Sequence, residues 1–110
     1  MIREDAPAGQ PLDEAIRFAI VHKRLVRVAY NGRRRMAEPH DYGVMNGRPR
    51  LLVYQRRELD GERSTRTEGW RLLDVAKIED FKVLDEIFPG SRAASHQDHF
   101  TWEVVHARVT

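Results

Sequence analysis

Leu25-Val26-Arg27-Val28-Ala29-Tyr30-Asn31-Gly32-Arg33-Arg34-Arg35-Met36-Ala37-Glu38-Pro39 is the stretch that decides the fold. Its first six residues are rich in strand formers and half alternate between apolar and polar. Asn31-Gly32 then supplies the pair that tolerates the positive φ angles of a type I′ turn. Arg33 to Glu38 reads as the returning strand, ended by Pro39, which has no N–H to give to a sheet ladder. The stretch is a β-hairpin.

Outward toward the N-terminus, Leu12, Ala15, Ile16, Ala19 and Ile20 have the spacing of one helix face. Asp13 and Glu14 in the first turn and Lys23 and Arg24 in the last complement the helix dipole, so a helix over Leu12–Lys23 is expected. Residues 1–11 read as a loose lead-in with Pro7 and Gly9.

Outward in the other direction, turn signals recur. Asn46-Gly47 marks a second turn, Arg50 to Arg57 a strand, Asp60-Gly61 a third turn, and Ser64 to Gly69 a further short strand. Trp70 to Lys77 fits a single helical turn and a strand equally well. Ile78 to Leu84 reads as a strand, broken by Pro89-Gly90-Ser91. Ser91 to Asp98 reads as polar loop, and Phe100 to Val109 as a final strand with Phe100, Trp102 and Val104 on one face. A stretch that apolar does not stay exposed, so the tail should extend its own sheet edge or pack on a second copy as a two-fold dimer, with the dimer favoured. One helix followed by short strands and glycine turns gives a mainly β domain, a small twisted sheet or barrel.

At 110 residues and 41% hydrophobic the chain fits one domain with one core. It has no cysteine, which excludes disulfides and thiolate metal sites. No apolar run approaches the roughly 20 residues of a membrane helix. Met1-Ile2-Arg3-Glu4-Asp5 places acids where a signal peptide needs its apolar stretch, so a soluble, cytoplasmic protein is expected. The net charge is +2, but residues 17–57 carry eleven Arg and Lys against Glu38 and Asp41, a balance of +9. Such clustering suggests an anionic partner. The basic residues are 16 Arg and 3 Lys, and arginine suits bidentate phosphate or carboxylate recognition, although arginine-rich codon usage explains that ratio equally well.

From the helix to Phe88 the pattern resembles the WYL domain, an Sm-like β-barrel common in bacterial transcription regulators. The match runs from Ala15-Ile16 through Lys23-Arg24-Leu25-Val26-Arg27-Val28-Ala29-Tyr30, similar to the family's opening helix and first strand. It continues in Arg35-Met36-Ala37-Glu38-Pro39, with the arginine placed before a proline, and in Leu51-Leu52-Val53-Tyr54. Arg71-Leu72-Leu73, Lys77-Ile78 and Val83-Leu84-Asp85-Glu86-Ile87-Phe88 resemble the closing segment. The positions of the namesake tripeptide read Pro49-Arg50-Leu51, without its aromatics, and Asp74 stands where the family usually has a further arginine. The resemblance implies a WYL-like barrel over 12–88 and a C-terminal extension over 89–110 with an extra strand. It also implies a ligand-sensing regulatory module for nucleic acid or nucleotides. Too few residues precede the helix for the DNA-binding module that family members commonly carry, so a stand-alone copy is expected.

Arg35 and Arg71 match family positions, and on adjacent strands they would converge on one phosphate, each offering a planar fork of donors. Lys77 matches a third basic position. Tyr54 suits stacking on a base, and Arg50 and Arg56 share its face by alternation. The plainer alternative makes these arginines solvated residues that protect strand edges, and Tyr54 core packing. Alternation puts Arg33 and Arg35 on one face and Arg34 on the other. Trp70 and Trp102 are most simply core residues. His96 and His99, spaced for one helical turn, lie in apparent loop without a third ligand, so no metal site is expected. His22 and His106 read as ordinary hydrogen-bonding residues. There is no Ser-centred elbow, paired-carboxylate motif or glycine-rich phosphate loop. The expectation is therefore a non-catalytic module without cofactor, binding single-stranded nucleic acid or a nucleotide. A protein–protein interaction subunit, either a homodimer or the partner of a transcription regulator, is the alternative. A hydrolase or nuclease assembled by folding stands third.

Overall fold

A computed structural model describes residues 11–59, 68–92 and 100–110. The turn expected at Asp60-Gly61, the strand over most of Ser64–Gly69 and the His96–His99 pair lie outside the described residues. The chain forms helix α1 (Leu12–Val21) and strands β1 (Arg24–Tyr30), β2 (Arg33–Met45), β3 (Arg48–Glu58), β4 (Gly69–Asp74), β5 (Asp80–Ile87) and β6 (Val104–Arg108). A 3₁₀ turn, Val75–Lys77, joins β4 to β5, so the ambiguous Trp70–Lys77 segment is a strand that runs into a helical turn.

Both Asn-Gly pairs make the tight turns their chemistry favours. Asn31 and Gly32 have φ of 54° and 74°, and Asn46 and Gly47 have 54° and 73°. They weld β1, β2 and β3 into an antiparallel meander, the centre of a mixed-length sheet in the order β4-β3-β2-β1-β5. The expected stop at Pro39 does not occur. β2 runs on to Met45, because Pro39 stands at a shift in the β2–β3 register, the kind of position where a strand tolerates a residue without an N–H.

The sheet is strongly rolled. In a flat sheet β1 and β4, three strands apart, would be about 14 Å from one another. Yet the Tyr30 hydroxyl at the end of β1 accepts a hydrogen bond from the Asp74 N–H of β4 at 3.0 Å. The chain leaving β4 then crosses directly to β1, where the Glu79 N–H donates to the Ala29 carbonyl. Among the described residues no backbone ladder joins β4 to β5, so the sheet is rolled without being closed. On the inner face Val26, Val28, Ala37, Leu51, Val53, Leu73 and Val83 meet Ala15, Ile16, Ala19 and Ile20 of α1. No helix among the described residues is long and apolar enough to cross a membrane.

The tail takes the first of its two expected dispositions, pairing with its own sheet. β6 lies antiparallel to β2, Asp41 opposite Arg108 and Val44 opposite Val104, beyond the point where β1 stops at Ala37. It is shorter than expected. Phe100 and Trp102 precede it, and its approach is fixed by the Glu103 N–H donating to the Val44 carbonyl. β2 is thus flanked by β3 on one edge and by β1 and β6 in succession on the other.

Tyr42, Asp13 and Arg17 pin α1 to this arrangement. The Tyr42 hydroxyl donates to Asp13 at 2.7 Å, and Arg17 Nε donates to the same carboxylate at 2.9 Å. These bonds hold Asp13 below the usual carboxylate range, the Tyr42 bond most of all. Burial, and then the Asp13 bond, push the Tyr42 phenol up to about 12. A lowered carboxylate stabilises the fold above its unfolded value of 3.8 and loses that contribution as pH falls through the folded value. A raised phenol stabilises below 10.0 and loses its contribution as pH climbs toward about 12. In melting curves taken across pH, Asp13→Asn should flatten the acid limb and Tyr42→Phe the alkaline limb. Unchanged limbs in both variants would show that the contact adds nothing to stability.

Candidate anion-binding site

Period-two alternation along β3 puts Leu51, Val53 and Gln55 on the inner face and Arg50, Leu52 and Tyr54 on the outer. Gln55 is fully buried. It stands opposite Ala37 of β2 and Gly69 of β4, so the inner-face neighbours one step along those strands are Arg35 and Arg71. The two arginines are therefore not on adjacent strands as expected: β3 lies between them. They nevertheless share one face, on either side of Gln55.

Arg35 is half-buried, and its partners are neutral. Nη1 donates to the Gln55 side-chain oxygen at 3.1 Å and Nη2 to the Tyr30 carbonyl at 3.1 Å. Its guanidinium carbon sits 5.7 Å from the centre of the Tyr30 ring. Nε is buried and has no hydrogen-bond partner. Burial lowers the guanidinium pKa below its ordinary value. The Glu58 charge opposes this, and the Arg71 and Arg33 charges reinforce it. Glu58 is itself bridged to Arg33 at 3.1 Å. Arg71 Nη1 donates to the Trp70 carbonyl at 3.0 Å.

The outer face solves the same problem differently. Glu38 and Asp41 point there from β2 and are almost completely buried, with His40 between them. Glu38 accepts from Arg56 at 3.1 Å and from both Nε and Nη2 of Arg92, at 2.8 and 2.9 Å. Asp41 pairs with Arg108 at 3.0 Å. Arg92 also lies over the Tyr54 ring, 3.7 Å from its centre, and the Glu38 bond raises its pKa. Trp70 meets both His40 and Tyr54 edge to face, at 4.9 and 5.3 Å. The Tyr54 hydroxyl donates to Glu68 at 2.9 Å, which raises the phenol pKa. Arg56, Arg92 and Arg108 are thus structural cations; Arg92 and Arg108 clasp the C-terminal segment to β2, and Arg56 ties β3 to it. An open cleft of ≈ 190 Å³ beside the clasp is lined by Glu38, Pro89, Gly90, Ser91 and Arg92 and shares no residue with the inner site.

The candidate residues therefore divide. Arg35 and Arg71 come together on the inner face; Tyr54, Arg50 and Arg56 lie on the outer one. Arg50 stands opposite Asp74, which Arg48 holds at low pKa, and Arg50 Nε is buried without a partner. Lys77 is exposed at the end of the 3₁₀ turn. Pairing also consumes part of the basic excess, since Arg17, Arg24, Arg33, Arg48 and Arg56 all bridge to acids. Gln55 was missed in the sequence reading. The signal was available: a glutamine on the same alternation phase as Leu51 and Val53 must face the core. Among the described residues no cluster of three or more potential metal ligands occurs. No family model, curated protein or solved structure matches the chain.

Proposed function

We propose that the domain is a non-catalytic, regulatory binding module of the WYL type on an Sm-like barrel plan, taking a phosphate of single-stranded nucleic acid or of a nucleotide at Arg35 and Arg71. One observation carries the reading. On the outer face the buried acceptors that hold arginines are carboxylates, Glu38 and Asp41, whereas the buried acceptor that holds Arg35 is the neutral amide of Gln55. An amide there orients the guanidinium without cancelling its charge; the Glu58 carboxylate opposite Arg35 is bridged to Arg33, and the Arg71 charge works against that of Arg35. An arriving anion relieves that repulsion and accepts from the second N–H that Nη1 and Nη2 each still carry. Two family positions, Arg35 and Arg71, meet in this arrangement, and the opening helix and rolled meander agree with the resemblance.

Fluorescence anisotropy with labelled oligonucleotides and calorimetry with nucleotides, both at low salt, test the proposal. Binding should weaken steeply with salt. Gln55→Glu should weaken it roughly tenfold or more, since it keeps both arginines but pairs one of them internally, and a bond to a charged group is worth about 1.5–3 kcal/mol. Arg71→Ala should do the same. Absence of binding at low salt, or full binding by both variants, overturns the proposal. The competing reading as a protein–protein subunit draws on Val104 and Val105 of β6, which are 48% and 43% exposed. Association through that strand would be insensitive to salt.

A further inference from the structure

We infer that the inner site takes a terminal phosphate, on a free nucleotide or at the end of a strand, and not a phosphodiester within a chain; this rests on the anion-binding reading above. Three features of the site point that way. The first is depth. Arg35 stands opposite Val28 on β1 and one alternation step from Ala37, both fully buried, and Arg71 stands opposite the buried Val53. Both guanidiniums are held against the inner face, Arg35 on Gln55 and the Tyr30 carbonyl and Arg71 on the Trp70 carbonyl, so a ligand meets them by pointing an end inward.

The second is closure. Tyr30 sits one alternation step beyond Val28 on β1, and its hydroxyl is tied to the Asp74 N–H. Beyond Asp74 the chain turns through Val75–Lys77 and crosses to Ala29. That crossing walls one side of the inner face next to Arg35. A continuous backbone, with ester links leaving each phosphate in two directions, is barred from leaving on that side. A terminal phosphate leaves in one direction only.

The third is donor and charge match. In Arg35, Nη1 on Gln55 and Nη2 on the Tyr30 carbonyl each keep a second N–H, while Nε is buried beneath them. A phosphomonoester brings three free oxygens and nearly two negative charges at neutral pH, because its second pKa is about 6. An internal phosphodiester brings two free oxygens and one charge. With Glu58 opposite Arg35 already bridged to Arg33, the pair Arg35 and Arg71 is better matched by the former.

The test uses one single-stranded DNA sequence in four forms: 5′-phosphorylated, 3′-phosphorylated, hydroxyl-ended and circular. Each is followed by anisotropy, with a nucleoside monophosphate as competitor. One phosphorylated form should bind at least tenfold more tightly than the hydroxyl-ended and circular forms, and Arg35→Gln should erase that preference. If the monophosphate binds and no oligonucleotide does, the source is the free nucleotide and the inference stands. If the circle binds as tightly as the phosphorylated strands, the inference is wrong while the anion-binding reading survives. If nothing binds, the reading itself falls. The comparison among the four forms uses the unaltered protein, so it holds even where Arg35→Gln folds poorly.

Discussion

Gly43→Ala should displace β6 from its place beside β2 and lower the melting temperature by roughly 10 °C. Gly43 is buried in β2, and a Cβ on it would run into the carbonyl oxygen of Val104 and come within 3.0 Å of the Trp102 ring. The first of these neighbours is backbone, which no rotamer change can move. Overpacking of this kind costs about 1–3 kcal/mol or more, and in a domain of this size each kcal/mol is worth about 4 °C. Either the strand shifts outward as a unit or it detaches and takes the Asp41–Arg108 pair with it. Thermal melting together with amide hydrogen exchange over residues 104–109 distinguishes the two. A variant with parental melting and protected β6 amides would mean that the strand does not dock as described.

The second large effect is expected on the outer face. Arg56→Ala with Arg92→Ala leaves the Glu38 carboxylate, 1% exposed, without its cations among the described residues. Stranding a buried charge in this way costs about 3–5 kcal/mol. Adding Glu38→Gln to the double variant should recover much of the loss, because a neutral amide is far cheaper to bury than a bare carboxylate. Denaturant titration of the parent, the double and the triple variant measures this. A triple variant less stable than the double would mean that Glu38 serves the fold through something other than its charge.

The two hairpins were legible because Asn-Gly is a local instruction: positive φ at consecutive residues is satisfied by almost nothing else. The helix was legible from Ala15, Ile16, Ala19 and Ile20, all four of which are buried. Pro39 misled because a residue that usually ends a central strand is harmless at a bulge, and bulges depend on partners distant in the chain. Glu38, His40 and Asp41 are polar side chains, yet all three are buried, since what covers them is the C-terminal segment fifty to seventy residues away. No window of local sequence contains that pairing. For the candidate site, the resemblance picked out Arg35 and Arg71, and alternation alone would have supplied Gln55 between them. The grouping of Tyr54 and Arg56 with Arg35 failed because a rolled sheet has an inside and an outside, and one step along β3 changes sides.

The unequal reach of the partners of β2 sets an order of assembly. β1 and β3 join it through two-residue turns, so the meander closes short loops at little entropic cost and forms on the hairpin timescale of about 1–10 μs. β6 has to bring Arg108 back to Asp41 across 67 positions of chain, a slower search. On a ribosome the meander therefore emerges and folds before its last strand exists. During that interval Glu38 has only Arg56 of β3 beside it, and it and Asp41 lie in water on the face that β6 and Arg92 will later cover. Their charge keeps the unfinished edge of β2 from being extended by a strand of another nascent chain, the hazard that half-built sheets otherwise run. The residues that clasp the tail in the finished domain thus serve, before the tail arrives, as its protection against misassembly.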